Sequence, residues 1–190
     1  MALLTSISLT HRQAIPKIHK SVLPEVLKLA ESPLLQGGAL SAMLEFFKTI
    51  VSAGVSGLGH SDLLALLAQP VLGAKGGNIH KAGRANIAKC VASLVSHSEK
   101  EAVAVVQQFL SNLALHQQDY SLTFSLLAIG EIGRGANLSK LPKLKASLSS
   151  PSALMRTTVV TAIKFTISDQ LLCTALHFNI GVQNKLNLIR

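Results

Sequence analysis

Leu40, Met43, Leu44 and Phe47 fall at i, i+3, i+4 and i+7, the spacing that brings side chains to one face of a 3.6-residue helix. The pattern returns at Ile87, Cys90, Val91 and Leu94, and helical stripes of similar spacing lie at Val103, Val106, Phe109, Leu110 and Leu113 and at Leu122, Leu126, Ile129 and Ile132. Between these stretches lie short breaks rich in Gly, Ser, Pro and Asp. No run alternates with the period of two that a half-buried strand needs, and no spacing suits a βαβ unit. A helix pair recurs about every 35 to 45 residues, the period of HEAT or armadillo repeats. The expected fold is all-α: an α-solenoid of stacked helix pairs, in which each repeat buries its apolar face against its neighbours.

Composition agrees. The 190 residues are 48% hydrophobic and 14% charged, with aromatics at 4% and no Trp. The apolar content is therefore Leu, Ala, Val and Ile, which suits packed helices better than a β-sandwich. The mean hydropathy of +0.42 is high, yet no run of about 18 uncharged apolar residues exists to cross a membrane. Helices covered on both sides within a solenoid account for it.

The breaks carry local signals. A first short helix holds Leu3, Leu4 and Ile7 and ends near His11. In the next segment Pro24 either kinks a helix or opens its final turns. Ser32-Pro33 reads as a helix start, with serine able to cap and proline tolerated in the first turn. The central helix runs from about Gln36 to Val51. Gly37, Gly38, Ala39 and Ala42 leave little bulk near its start, where a neighbouring helix is expected to approach closely. His60 or Ser61 starts a helix over Asp62–Gln69 that Pro70 stops. A helix from about Ile79 to Ser96 follows. Ser98 and Glu101 form a capping box. Asp119 caps a helix that Gly133 and Gly135 close. Further helices are expected over Leu141–Leu148, Val159–Ile167, Leu171–Phe178 and Val182–Ile189.

Chemistry is hard to find in this chain. Its nine acidic residues are spread out, and no pair resembles an acid–base couple. The seven histidines lie mostly at helix ends or breaks, where capping or solvation is ordinary. There is no H-E-x-x-H and no C-x-x-C, so no metal site is expected. Gly73–Lys81 lacks the order of a phosphate-binding loop, and no strand precedes it. Gly133-Arg134-Gly135 follows a helix and lacks the third glycine of a dinucleotide fingerprint. Neither catalytic residues nor a cofactor are expected. Cys90 and Cys173 stand alone in apolar surroundings and read as reduced core residues of a cytosolic or nuclear protein.

The 18 Lys and Arg against nine Asp and Glu give a net charge of +9. That permits an acidic partner or nucleic acid. The basic residues are scattered singly, without aromatic interleaving for base stacking, so a solvated surface is the better reading. Residues 1–24 lack acids, as a mitochondrial presequence does, but the same pattern fits a solenoid helix. What remains is surface: stacked helix pairs make a long face, and such faces bind other proteins.

Several blocks, in chain order, resemble one family. They are Ser21–Glu25, Ser32–Phe47, Asp62-Leu63-Leu64, Gln69-Pro70-Val71, His80-Lys81, Ile87–Ala92, the stretch around Leu126–Ile132, Ser149–Ser152, Thr158–Asp169, and Asn184-Lys185 with Leu188–Arg190. The combination resembles the cullin-associated, neddylation-dissociated family, long HEAT-repeat regulators of cullin–RING ubiquitin ligases. The resemblance covers most of the chain after about residue 21. It implies an interior portion of a longer solenoid: residues 1–150 as HEAT-type repeats, and 151–190 as further helical segments rejoined from later repeats. The spacing departs from the family near Ser152–Arg156 and Gln170–Leu172, so helices that are not family neighbours meet there.

The resemblance further implies a non-enzymatic scaffold of cytoplasm and nucleus. It would bind the cullin–RING core in its unmodified form and influence exchange of substrate receptors. No motif marks a contact residue. Exposed basic residues at helix ends and loops are the candidates: Lys81, Arg84, Lys164 and Lys185. The periodicity taken alone fits equally a generic solenoid adaptor of transport or assembly. In either case the first helix (Leu3, Leu4, Ile7) and the last (Leu171, Leu172, Leu176, Phe178) are expected to expose apolar faces and favour self-association.

Overall fold

A computed structural model describes residues 1–54, 58–74, 76–113 and 119–138, with Leu141, Ser149, Ala153, Arg156, Thr157, Val159 and Val160. Among these residues there are helices and turns and no strand. The helices are α1 (Ala2–Thr10), α2 (Ile15–Ser21), α3 (Leu23–Ala30), α4 (Gly37–Ser52), α5 (His60–Leu72), α6 (Lys81–Leu94), α7 (Glu99–Leu113) and α8 (Asp119–Gly135). The expected helices Leu141–Leu148 and Val159–Ile167 lie outside the described residues except at Leu141, Val159 and Val160, and those at Leu171–Phe178 and Val182–Ile189, together with Cys173, Lys164 and Lys185, lie wholly outside them.

The arrangement is that of a solenoid. One row runs α1, α4, α6, α8, each helix packed on the next. Against it lie α3, on α6; α5, on α6 and α8; and α7, on α8. The later row helices begin at Gly37, Lys81 and Asp119, within the expected repeat period. Helix α6 is the hub, touching α3, α4, α5 and α8. Its face Ile87, Cys90, Val91 and Leu94 is buried, as the spacing requires. Helix α4 buries Leu40, Met43, Phe46, Phe47 and Ile50, while Leu44 sits at the margin. Phe109 of α7 meets Phe124 of α8 edge-on at 6.0 Å and 82°, a geometry that adds about 0.5–1.5 kcal/mol to area burial. Buried hydroxyls are satisfied locally: Ser8 donates to the Leu4 carbonyl, Thr49 to Glu45 and Ser125 to Ser121.

Several helix boundaries differ from their local signals. Ser32-Pro33 opens no helix. Ser32 makes a turn instead, its Oγ accepting from the Leu34 N–H at 3.3 Å, and α4 starts five residues after Ser32 with extended Gln36 as its N-cap. A helix begun at Ser32 would carry Gly37 and Gly38 in its interior, where glycine is poorest. Starting at Gly37 places them where they cost least, and Gly37 takes a positive φ of 56° that L side chains resist. Pro70 does not stop α5, which continues to Leu72. The proline stands two residues before the end, so the bond its nitrogen would have donated is lost where little helix remains to be disrupted. Pro24 occupies the first turn of α3 and so opens a helix. Gly133 is buried inside α8, and Gly135 is its last residue.

The close approach expected at Gly37 and Gly38 is absent: a Cβ on either would meet nothing within 4 Å. It occurs at Gly83. There a Cβ would lie 2.1 Å from the Glu31 carbonyl oxygen, so the 31–35 turn rests directly on the backbone of α6.

Candidate interaction surface

The edge formed by the 31–36 turn and the Gly73–His80 loop is shaped by buried polar contacts. Asn86 of α6 is buried, and its Nδ2 donates to the carbonyls of Ser32 at 3.1 Å and Leu35 at 2.9 Å. The second loop has two braces. Tyr120 of α8 donates its hydroxyl to the Gly73 carbonyl at 3.2 Å. Its ring crosses Gly76 and Gly77, where a Cβ on Gly76 would lie 2.7 Å from the ring and 1.9 Å from the Val71 carbonyl oxygen. From the other side, Arg84 Nη1 donates to the Ile79 carbonyl at 3.1 Å and the Gly76 carbonyl at 3.5 Å.

Between the two loops lies a groove of about 520 Å³ lined by Glu31, Pro33, Pro70, Asn78, Ile79 and His80. Leu34, next to Pro33 in the chain, is 84% exposed. His80 caps α6, its Nδ1 accepting from the Ala82 N–H at 3.2 Å, as histidines at helix starts are read to do. Lys81 follows, exposed, in the first turn of α6, where no acid compensates it.

Of the basic candidates, Lys81 is thus on the surface. Arg84 is half-buried and holds the loop, with its Nε buried and without a hydrogen-bond partner. The two lie at one edge. Lys164 and Lys185 lie outside the described residues.

A second, smaller groove of about 270 Å³ runs between α5 and α7, bordered by Leu64, Ala65, Ala68, Leu72 and Phe109 among uncharged polar residues. Nearby, His60 Nδ1 is 3.4 Å from Glu101 Oε1. Only half of the expected capping box forms: Ser98 Oγ accepts from the Glu101 N–H at 3.3 Å, while the Glu101 carboxylate reaches the His60 ring. Three surface pairs, Lys28–Glu25, Lys48–Glu45 and Arg134–Glu131, are local i,i+3 contacts. The hydrogen bond from Lys28 to Glu25 raises the lysine pKa.

Among the described residues, no group of three or more His, Cys, Asp or Glu side chains is placed to hold a metal. No described helix is long and apolar enough to cross a membrane. Cys90 is fully buried, and burial pushes its thiol pKa up to about 12, which keeps it protonated and unreactive. Neither Asn86 nor Tyr120 belongs to a sequence motif. A signal existed for Asn86, an amide in the middle of the apolar face of a helix, where a buried polar group needs partners.

The fold and its loop edge define a class: a segment of a HEAT-type α-solenoid whose described surface offers grooves and loops. No family model matches the chain. Individual relatives do. It is 33% identical over 162 residues, 78% of its length, to Cullin-associated NEDD8-dissociated protein 1 of Drosophila melanogaster. It is 28% identical over 168 residues to Cullin-associated NEDD8-dissociated protein 2 of Mus musculus, and 33% identical over 126 residues to the protein 1 of Arabidopsis thaliana. The resemblance read from the sequence is thereby shown: the chain matches the cullin-associated NEDD8-dissociated family over 64% to 84% of its residues. It spans 10% to 14% of the length of these relatives.

Proposed function

We propose that this chain is a non-enzymatic scaffold of cullin–RING ligase assembly. It binds the core formed by an unmodified cullin and its RING subunit, and it influences the exchange of substrate receptors. The observation that carries this reading is the 33% identity over 162 residues to a protein named for cullin association. The stacked-helix architecture supports it, because such segments act by presenting surface. No small-molecule substrate, nucleic acid or membrane enters the reading, and its compartments are cytoplasm and nucleus.

Within it, Lys81 is the described residue best placed to meet a partner, standing exposed beside the groove between the two braced loops. Lys164 and Lys185 complete the proposed contact set. Arg84 contributes by shaping the loop. The test is co-elution of the purified chain with an unmodified cullin–RING core, repeated with the modified form. Co-elution with the unmodified form alone supports the reading. A folded sample that elutes apart from both contradicts it.

A further inference from the structure

The sequence holds six prolines, and two of them follow serine: Ser32-Pro33 and Ser150-Pro151. The second pair lies outside the described residues. The first opens no helix, so capping does not explain it. It forms a reverse turn over residues 32–35, closed by the Leu35 N–H donating to the Ser32 carbonyl at 3.3 Å. Pro33 takes the second position of that turn, which its fixed φ suits.

The turn is clamped on its inner side and bare on its outer side. Inside, buried Asn86 holds the Ser32 and Leu35 carbonyls, Leu35 is buried, and the Glu31 carbonyl rests on Gly83. Outside, Pro33 and Leu34 are exposed. The Ser32 hydroxyl belongs to the outer side. Its Oγ accepts an exposed hydrogen bond from the Leu34 N–H at 3.3 Å. That bond uses a lone pair of the oxygen and leaves the hydroxyl proton available to a base.

A reachable serine hydroxyl followed directly by an exposed proline ring is the substrate pattern of proline-directed protein kinases. Such an enzyme aligns the hydroxyl with its catalytic aspartate and seats the next residue's ring, which has no N–H, in an adjoining apolar pocket. The residue before a proline is biased towards extended backbone, the form in which a kinase holds its substrate. We infer that Ser32 is a phosphorylation site for a proline-directed kinase. In the step, Ser32 Oγ attacks the γ-phosphorus of magnesium-bound ATP. The Oγ–phosphorus bond forms, the bond from that phosphorus to the β,γ-bridging oxygen breaks, and ADP leaves. The hydroxyl proton passes to the kinase aspartate.

The consequence is electrostatic. Phosphoserine brings about 1.5 to 2 negative charges. They arrive next to Glu31, on the edge that carries exposed Lys81, and turn that edge anionic.

The test is incubation of the folded full chain with a mitogen-activated protein kinase, whose minimal substrate is Ser-Pro or Thr-Pro, and γ-labelled ATP. Trypsin then cuts after Lys28 and Lys48 and releases residues 29–48, which hold Ser32, Ser41 and a single Ser-Pro. Label is expected in this peptide, and is expected to be lost in Ser32→Ala and in Pro33→Ala, which keeps the hydroxyl. A synthetic peptide of residues 26–38 runs beside the chain as the unfolded reference. The folded chain is expected to react within about a hundredfold of the peptide's rate. A slower rate, of the kind an unfolded fraction of about 10⁻³ or less would give, overturns the inference. So does label that persists in either variant, or a peptide that is itself left unlabelled.

Discussion

The Nδ2 of Asn86 lies 2.9 Å from the carbonyl oxygen of Leu35, 51 positions earlier in the chain. With its second bond to Ser32, this amide joins α6 to the turn that precedes α4. Replacing Asn86 with Ala leaves both carbonyls without that donor, at a cost of about 2–4 kcal/mol. Replacing it with Asp is expected to cost more at neutral pH, because a carboxylate would face two carbonyl oxygens. Urea denaturation of the three proteins checks the order: wild type, then Asn86→Ala, then Asn86→Asp.

The glycines divide by what surrounds them. Gly83→Ala drives a Cβ into the Glu31 backbone and is expected to destabilise by about 1–3 kcal/mol, the scale of overpacking. Gly38→Ala meets nothing and replaces a poor helix former at the second residue of α4, where glycine costs less than in a helix interior, so a gain of a few tenths of a kcal/mol, at most about 0.5, is expected. Opposite shifts in melting temperature confirm the reading; shifts of the same sign refute it.

Tyr120 holds the Gly73–His80 loop from outside that loop's own sequence. Tyr120→Phe removes one hydrogen bond and is expected to cost about 1 kcal/mol. Tyr120→Ala also removes the ring that covers Gly76 and Gly77. Limited proteolysis should then cut within residues 73–80 in Tyr120→Ala well before Tyr120→Phe.

Cys90 links stability to alkaline pH. Its thiol has an ordinary value of 9.0 and is pushed up to about 12 by burial. Below pH 9 both folded and unfolded chains keep the proton, and nothing is lost. Between pH 9 and 12 the unfolded chain releases it while the folded chain holds it, so stability falls as pH rises. The loss approaches about 1.4 kcal/mol per pH unit within that window. Cys90→Ala lowers stability at neutral pH by opening a cavity but is expected to show a shallower alkaline decline. Equal slopes would contradict the assignment.

The helices were legible in the sequence because their signal is local. The buried face of α6 follows from the spacing of Ile87, Cys90, Val91 and Leu94. The contacts that shape the loop edge were not legible, because each joins residues far apart. Nothing near Ser32 says that its carbonyl belongs to Asn86, so a Ser-Pro dipeptide that usually opens a helix reads as one. Gly37 and Gly38 suggest close packing as strongly as Gly83 does, and only the approach of Glu31 separates them. Arg84 looks like a surface charge until the Gly76 and Ile79 carbonyls fold back onto it. The groove depends on Pro33 of the 31–36 turn and Pro70 of α5 coming to line one opening, a proximity no periodicity encodes.

The most direct test of cullin association is an isothermal titration of the chain into a purified, unmodified cullin–RING core, with Lys81→Glu run beside it. Saturable one-to-one binding is expected, weakened by Lys81→Glu and not given by the modified core. An absence of binding by well-folded wild-type chain at about 50 µM, a concentration that detects micromolar affinity, would contradict it.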